Sequence, residues 1–350
     1  MPQLEQLAAQ LDRLAALEPG PFPVISLYLN LQPDGNGKEH FEPFLRKELT
    51  ERIRTYPPST PERNSLERDA EKIRSHVNGV EPSMNGLAVF ACSGIDLFES
   101  IALAAPIDAH RLYVSETPHL YPLARVLDEY PRYLALLADS HSARIFVFAA
   151  NSVEKSDRID NPKVKHHKQG GWAQARFQRH VENYHLQHAK EVVDAVAKIA
   201  REEKIDRIVF SGDDVIVPLL REQLPKDIAE RVVDVVKIDA HAGERDILQA
   251  TIAALRQKDA ETDRERVDAL VGAYRANGLA TVGVENTMKA FELGQVDELI
   301  IAAKPVNLDE KAAEGLIAKA RQTSAKIRFI EETSLLAPIG GVGAFLRFKI

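Results

Sequence analysis

Residues Tyr133–Asp160, YLALLADSHSARIFVFAANSVEKSDRID, decide the fold class. Two apolar runs, Tyr133–Ala138 and Ala143–Ala149, have strand length and are rich in aromatic and branched side chains. They are separated by Asp139-Ser140-His141-Ser142, which predicts a hairpin turn, and Val153–Ile159 supplies a third strand. Next comes a polar stretch, Asp160–Gly171, without periodicity. Phe177, Val181, Tyr184, Val192, Val196 and Ile199 then mark one long helix reaching about Glu203. A strand at Asp206–Ser211, a short helix, a strand at Arg231–Ile238 and a helix from Gly243 follow. Strands alternating with helices in this way predict an open, mixed sheet with helices packed on it.

Towards the N-terminus, Leu4, Leu7, Leu11 and Leu14 have the spacing of an amphipathic helix, and Phe22–Asn30 reads as a strand closed by the turn Asp34-Gly35-Asn36-Gly37. Phe41, Leu45, Leu49 and Ile53 repeat at helical spacing as far as the cluster Pro57-Pro58-Ser59-Thr60-Pro61. A second helix carries Leu66, Ala70, Ile73 and Val77, and strands are expected at Gly86–Ala91, Ile101–Ala104 and Arg111–Val114. Towards the C-terminus, a charged helical stretch at Lys258–Tyr274 precedes a strand at Ala280–Gly283. A helix at Val284–Leu293, ended by Gly294, and a strand at Glu298–Ala302 come next. A helix at Leu308–Thr323 and strands at Lys326–Ile330 and Ala344–Ile350 complete the pattern. The expected fold class is therefore α/β in three small α/β domains: 1–128, 129–258 and 259–350. The middle one is a mixed sheet with helices, and the last an α/β/α sandwich.

The composition is that of a globular chain, with 45% apolar and 28% charged residues among 350. Forty-five Lys and Arg against 52 Asp and Glu leave a net charge of −7, which excludes a chain-wide electrostatic grip on nucleic acid. The single cysteine, Cys92, sits in an expected buried strand and can build neither an internal disulfide nor a cysteine-based zinc site alone. Apolar runs such as Ile101–Ile107 fall far short of the roughly 20 residues of a membrane span. The N-terminal stretch carries acids, unlike a secretory signal or transit peptide. A cytoplasmic protein is the expectation.

Residues 161–190, NPKVKHHKQGGWAQARFQRHVENYHLQHAK, break this acidic background. Six Lys and Arg face one acid, Glu182, and five of the eleven histidines fall here. Such a local excess is what binding a phosphate backbone at one place requires, although a charge run is also how solvated loops and exposed helix faces are built. Gly170-Gly171 permits close approach of the backbone to another surface.

Three stretches resemble a bacterial-type member of the archaeal and eukaryotic class-1 peptide chain release factor superfamily, which includes Pelota and the peptidyl-tRNA hydrolases of ribosome quality control. Lys168-Gln169-Gly170-Gly171-Trp172-Ala173-Gln174-Ala175-Arg176-Phe177 is similar to the family's Gly-Gly-Gln loop running into its helix. Gly283–Ile301, GVENTMKAFELGQVDELII, resembles the third-domain framework of the family, and Ile339–Phe348, IGGVGAFLRF, its C-terminal strand. Asn85–Phe90 adds a weaker match in the first domain. Two departures stand out. Trp172 occupies the third place of the Gly-Gly-Gln motif, the nearest glutamine being Gln174, with Gln169 on the other side of the glycines. Moreover, the region at Thr55–Pro61 lacks the Asn-Ile-Lys-Ser motif of stop-codon readers.

The resemblance implies a release-factor, RNase H-like middle domain, a ribosomal-protein-like third domain, and a ribosome-associated peptidyl-tRNA hydrolase acting in rescue rather than stop-codon decoding. Gln174 would be its catalytic, water-positioning residue. Lys168, Gly170, Gly171, Trp172, Arg176 and Arg179 would engage large-subunit RNA and peptidyl-tRNA. No cofactor, metal, membrane or DNA is implied, and a GTPase partner is left open. The alternative is a non-catalytic, Pelota-like ribosome- or RNA-binding factor of the same fold, favoured by Trp172. A metal-dependent nuclease would need clustered carboxylates, for which Asp139, Asp213 and Asp214 are the only, scattered candidates. His180, Tyr184, His185 and His188 lie at helical spacings, as surface cover, seam filling or metal ligands. Ser211-Gly212-Asp213-Asp214 is either a ligand loop at a strand end or a turn with an aspartate cap.

Overall fold

The computed structural model describes residues 3–32, 41–80, 84–160, 172–304 and 308–349. The described residues form three sheets in two compact units. One unit joins Gln3–Tyr130 to Thr262–Ile350, and the other is Pro131–Glu261.

The first unit opens with helix α1 (Gln3–Ala15), strand β1 (Val24–Asn30), helices α2 (Phe41–Arg54) and α3 (Pro61–Val77), strands β2 (Gly86–Cys92), β3 (Leu97–Leu103) and β4 (Arg111–Ser115), and helix α4 (Tyr121–Glu129). The proline cluster that stops α2 also starts α3. Thr60 accepts the Arg63 amide through its hydroxyl, and Pro61 fills a first-turn position where a missing N–H costs nothing. The sheet is antiparallel, in the order β3-β2-β1-β4. Strand alternation sorts its side chains between two cores. Ile25, Leu27, Leu29, Leu87 and Val89 face α2 and α3, while Tyr28, Ala88 and Phe90 face the opposite way, towards Leu7, Leu11 and Leu14 of α1.

In the second unit, β5 (Tyr133–Ala138), β6 (Ser142–Ala149) and β7 (Ser152–Asp160) form the expected antiparallel meander. Helix α5 (Trp172–Glu202) crosses to β8 (Ile208–Gly212), which pairs with β5 in parallel. Helices α6 (Ile216–Gln223) and α7 (Lys226–Ala229) lead to β9 (Val232–Val236), parallel to β8. The order β7-β6-β5-β8-β9 is thus a mixed sheet. Val192, Val193, Val196, Ala197 and Ala200 seat the C-terminal half of α5 on Leu134, Leu136, Ile208 and Phe210.

Helix α8 (Glu244–Arg275) carries residues of both units. The charged stretch Lys258–Tyr274 is its continuation. In the second unit α8 places Thr251 2.8 Å from the Tyr133 hydroxyl, and Arg207 grips Asp259 with two bonds. The first unit resumes with its C-terminal turns and with β10 (Ala280–Val282), α9 (Val284–Glu292), β11 (Val296–Ala302), α10 (Glu310–Gln322), β12 (Lys326–Ile330) and β13 (Val342–Leu346). The sheet order is β10-β13-β11-β12, with only the β11–β12 pair parallel. Strand β11 shows why this part is a sandwich. Ile300 and Ala302 face Val267 and Leu270 of α8, whereas Leu299 and Ile301 face Phe291 of α9 and Leu316 and Ile317 of α10. Gly294 ends α9 with a φ of +67°, and the Gln295 amide reaches back to the Ala290 carbonyl.

The α/β class is as the sequence predicts, with differences of detail. The last strand stops at Leu346 rather than Ile350, and α4 has no counterpart among the expected elements. Helix α4 is capped by no side chain of its own. The Glu314 carboxylate, on α10, accepts the Leu120 amide at 2.8 Å and the Tyr121 amide at 3.0 Å. The core around α1, α4 and α10 is shared by both ends of the chain, which makes them one unit.

Candidate functional site

Helix α5 is the element on which the basic segment converges. Its backbone is helical from Trp172. From His188 onward it is seated on the sheet, whereas Arg179, His180, Glu182, Asn183 and Gln187 are exposed and Val181, Tyr184, His185 and Leu186 half-buried. The sixteen residues from Trp172 to Gln187 amount to about 24 Å of helix at 1.5 Å per residue. The C-terminal half of α5 therefore anchors a helix whose stretch Arg179–Gln187 is exposed or half-buried.

The sequence-derived site residues fall as follows. Lys168, Gly170 and Gly171, with Gln169, His166 and His167, lie outside the described residues. Trp172, Gln174 and Arg176 belong to the first two turns of α5, and their side chains lie outside the description. Arg179 is exposed and forms no ion pair among the described residues. That sets it apart from Arg132, Arg158, Arg201 and Arg207 in the same unit, each bonded to a carboxylate of its own chain.

One turn further on, the rings of His141, Tyr184 and His185 stand 6.1 to 6.2 Å apart. His141 comes from the β5–β6 turn, where the sequence marked only a hairpin, so its place beside α5 follows from strand register. Burial and the neighbouring His141 push the His185 imidazole below its ordinary value, against a smaller opposing pull from Asp213. His188, by contrast, is fully buried. The histidines thus split between an exposed end, a ring cluster and the helix–sheet seam. Among the described residues no group of three or more His, Cys, Asp or Glu side chains could hold a metal ion.

At the C-terminal ends of β5 and β8 lies a cleft of about 300 Å³ lined by Asp139, Ser211, Asp213, Asp214 and Lys237, where open α/β sheets place ligands. Its carboxylates are largely engaged within the chain. Asp139 accepts the amides of His141 and Ser142, both at 2.7 Å, and the Ser142 hydroxyl at 3.0 Å. Burial works to raise that carboxyl, but these hydrogen bonds outweigh it and hold it below the usual range. Asp213 accepts the amides of Val215 and Ile216 and is the turn residue that starts α6. This is the capping role rather than the ligand-loop role, and the arrangement gives no cluster of free carboxylates for a two-metal reaction.

The chain is homologous to the subunit-1 peptide chain release factors and to Pelota. Residues 118–256 match the model of bacterial archaeo-eukaryotic release factor family 10. It is 27% identical to peptide chain release factor subunit 1 of Methanopyrus kandleri over 237 residues, 63% of this chain and 57% of that protein. The match thus spans little more than half the length of that relative. The corresponding factor of Thermococcus onnurineus is 22% identical over 354 residues, covering 82% of this chain and 84% of that one. Among solved structures, archaeal Pelota in a model of ribosome-bound Pelota and ABCE1 covers 99% of this chain and 94% of its own, at 13% identity and a TM-score of 0.45. Among the described residues no helix is long and apolar enough to cross a membrane.

Proposed function

We propose that this protein is a ribosome-associated peptidyl-tRNA hydrolase of the release-factor type, cytoplasmic, and acting in ribosome rescue rather than stop-codon decoding. The observation that carries the reading is the basic start of α5. Six Lys and Arg against one acid fall between residues 161 and 190 of a chain whose net charge is −7. The one of those cations on the exposed half of α5 whose side chain is described and precedes the ring cluster, Arg179, has no carboxylate partner among the described residues. A guanidinium left to solvent on an anchored helix, as Arg179 is, suits a phosphate contact.

In this reading Gly170 and Gly171 keep the loop thin where it approaches RNA. Lys168, Arg176 and Arg179 offset phosphate charge, and Trp172 stacks on a base. Gln174 is the water-positioning residue. An uncharged amide is both donor and acceptor, so it orients a water towards the ester carbonyl without any change of protonation. Stabilising the developing oxyanion falls largely to the surrounding RNA and the ribose hydroxyl. The relatives' name, peptide chain release factor subunit 1, supports ester hydrolysis as the reaction, and the Pelota likeness supports the ribosome as the partner. The division into domains 1–128, 129–258 and 259–350 belongs to the same proposal.

A second reading, a non-catalytic ribosome-binding factor like Pelota, is favoured by Trp172 in the third position of the Gly-Gly-Gln pattern. Stalled ribosomes carrying labelled peptidyl-tRNA separate the two. Wild-type protein releases the peptide if the hydrolase reading is right, and sediments with ribosomes without release if the second is right.

A further inference from the structure

The first unit contains a cavity of about 280 Å³ between β4, α4, the end of β11 and the first turn of α10. That volume lies near the lower bound of about 300 Å³ for small-ligand sites. Its wall combines apolar side chains with a short file of aromatic and polar ones. The Tyr113 ring stacks on His119 with centroids 3.6 Å apart and planes at 24°. His119 is buried, and its Nδ1 lies 3.2 Å from the Glu314 carboxylate, leaving Nε2 without a partner among the described residues. Burial holds His119 down to about 4, so at neutral pH it is an uncharged ring whose Nδ1–H faces Glu314 and whose Nε2 accepts.

The charges around the cavity fall into two sets. Arg125 spends its two terminal nitrogens on Asp108, Glu129 and Glu331, while its Nε is buried without a partner among the described residues. Arg111 donates to the Tyr113 hydroxyl at 3.3 Å, and neither it nor Lys304 has a carboxylate within ion-pair distance among the described residues. Glu310 stands at the same rim as a further acceptor, close enough to act on both the Tyr113 hydroxyl and Arg111. The site thus offers an aromatic wall, acceptors for ring N–H or amino groups, and two cations without ion pairs. A heteroaromatic ring carrying one anionic group satisfies all three.

We propose that this cavity binds one nucleoside monophosphate, the phosphate taken by Arg111 and Lys304 and the base held against Tyr113 within reach of the Glu310 and His119 acceptors. Nothing in the hydrolase reading requires such a site, and the two stand or fall separately. The same chemistry has two sources, a free mononucleotide or the terminal nucleotide of an RNA strand. The small volume favours the former.

The test is calorimetric titration of the full-length chain with AMP, GMP, CMP and UMP in turn, with ribose 5-phosphate, the parent nucleosides and a short oligoribonucleotide as comparators. The expected result is saturable binding of at least one monophosphate with a Kd on the order of 0.1 mM. Its nucleoside and ribose 5-phosphate should bind about tenfold more weakly, and the oligonucleotide should not compete. Arg111→Ala should weaken the monophosphate about tenfold or more through the lost charged contact, while Arg179→Ala leaves it unchanged. Ala313→Leu, which fills the cavity and keeps Arg111, should abolish binding, with far-ultraviolet circular dichroism confirming that each variant is folded. Absence of saturable binding to any of the four, or binding indifferent to both Arg111→Ala and Ala313→Leu, overturns the proposal. Equal affinity for ribose 5-phosphate also overturns it, because the aromatic wall would then contribute nothing.

Discussion

The pair His119 and Glu314 should make stability respond to pH in opposite ways when each member is removed. Glu314 is pushed up to about 7 from an ordinary 4.5, mainly by burial, with the Leu120 and Tyr121 amides working the other way. His119 is held down to about 4 from an ordinary 6.5, by burial and then by Arg111. Between these limits the folded pair binds one proton, and so does the unfolded pair, which has an ionised carboxylate and a charged imidazole. The wild-type pair therefore adds almost no pH dependence from pH 5 to 6.5.

Replacing Glu314 by Gln leaves His119 alone. Its depressed folded value means that the unfolded state binds the extra proton, so stability rises with pH from about 4 to 6.5, by about 3 kcal/mol in all. Replacing His119 by Phe, which keeps the stack on Tyr113, leaves Glu314 alone. Its raised folded value means that the folded state holds the extra proton, so stability falls by about 3 kcal/mol as pH rises from 4.5 to 7. Urea unfolding followed by circular dichroism at half-unit pH steps measures all three curves. Parallel curves for the two variants, or a slope of the same sign in both, would refute the argument.

Further outcomes follow from single positions. Phe210→Ala, at a fully buried ring under α5, should cost about 3–5 kcal/mol in the urea unfolding of the second unit. Gly283→Ala should cost about 1–3 kcal/mol although a Cβ meets open space there, because Gly283 has φ +81° and ψ 156°, a conformation for glycine alone. A thermal melt detects it. Arg179→Ala should leave the melting temperature unchanged and reduce the dependence of ribosome binding on salt by about one phosphate contact, as read from log–log plots of sedimentation against salt.

What could be read in the sequence was whatever local pattern controls. The meander β5–β6–β7, the long α5 and the Gly294 stop of α9 are written in contiguous residues, and Asp213 acts as the turn residue its position before α6 indicates. Helix α4 was not legible. It is nine residues long, and the carboxylate that caps it arrives from Glu314, nearly two hundred residues away. The joint core of the two chain ends has the same origin, since Leu11 and Leu316 share it across about three hundred residues of sequence. The cavity beside His119 was equally hidden. Its only local trace is the run of Tyr113, His119 and Tyr121, rings of the kind that also fill cores. At the candidate loop the sequence remains the guide, through the residue types of 168–176 and the charge they carry.

The most direct measurement of the hydrolase proposal is a single-turnover release assay on stalled ribosomes bearing labelled peptidyl-tRNA, comparing wild type, Gln174→Ala and Gln169→Ala, each checked for ribosome sedimentation. The account predicts release by wild type and by Gln169→Ala, and a loss of about a hundredfold or more in rate for Gln174→Ala, with all three sedimenting equally. Full release by Gln174→Ala would contradict it, as would a wild type that binds ribosomes and releases nothing.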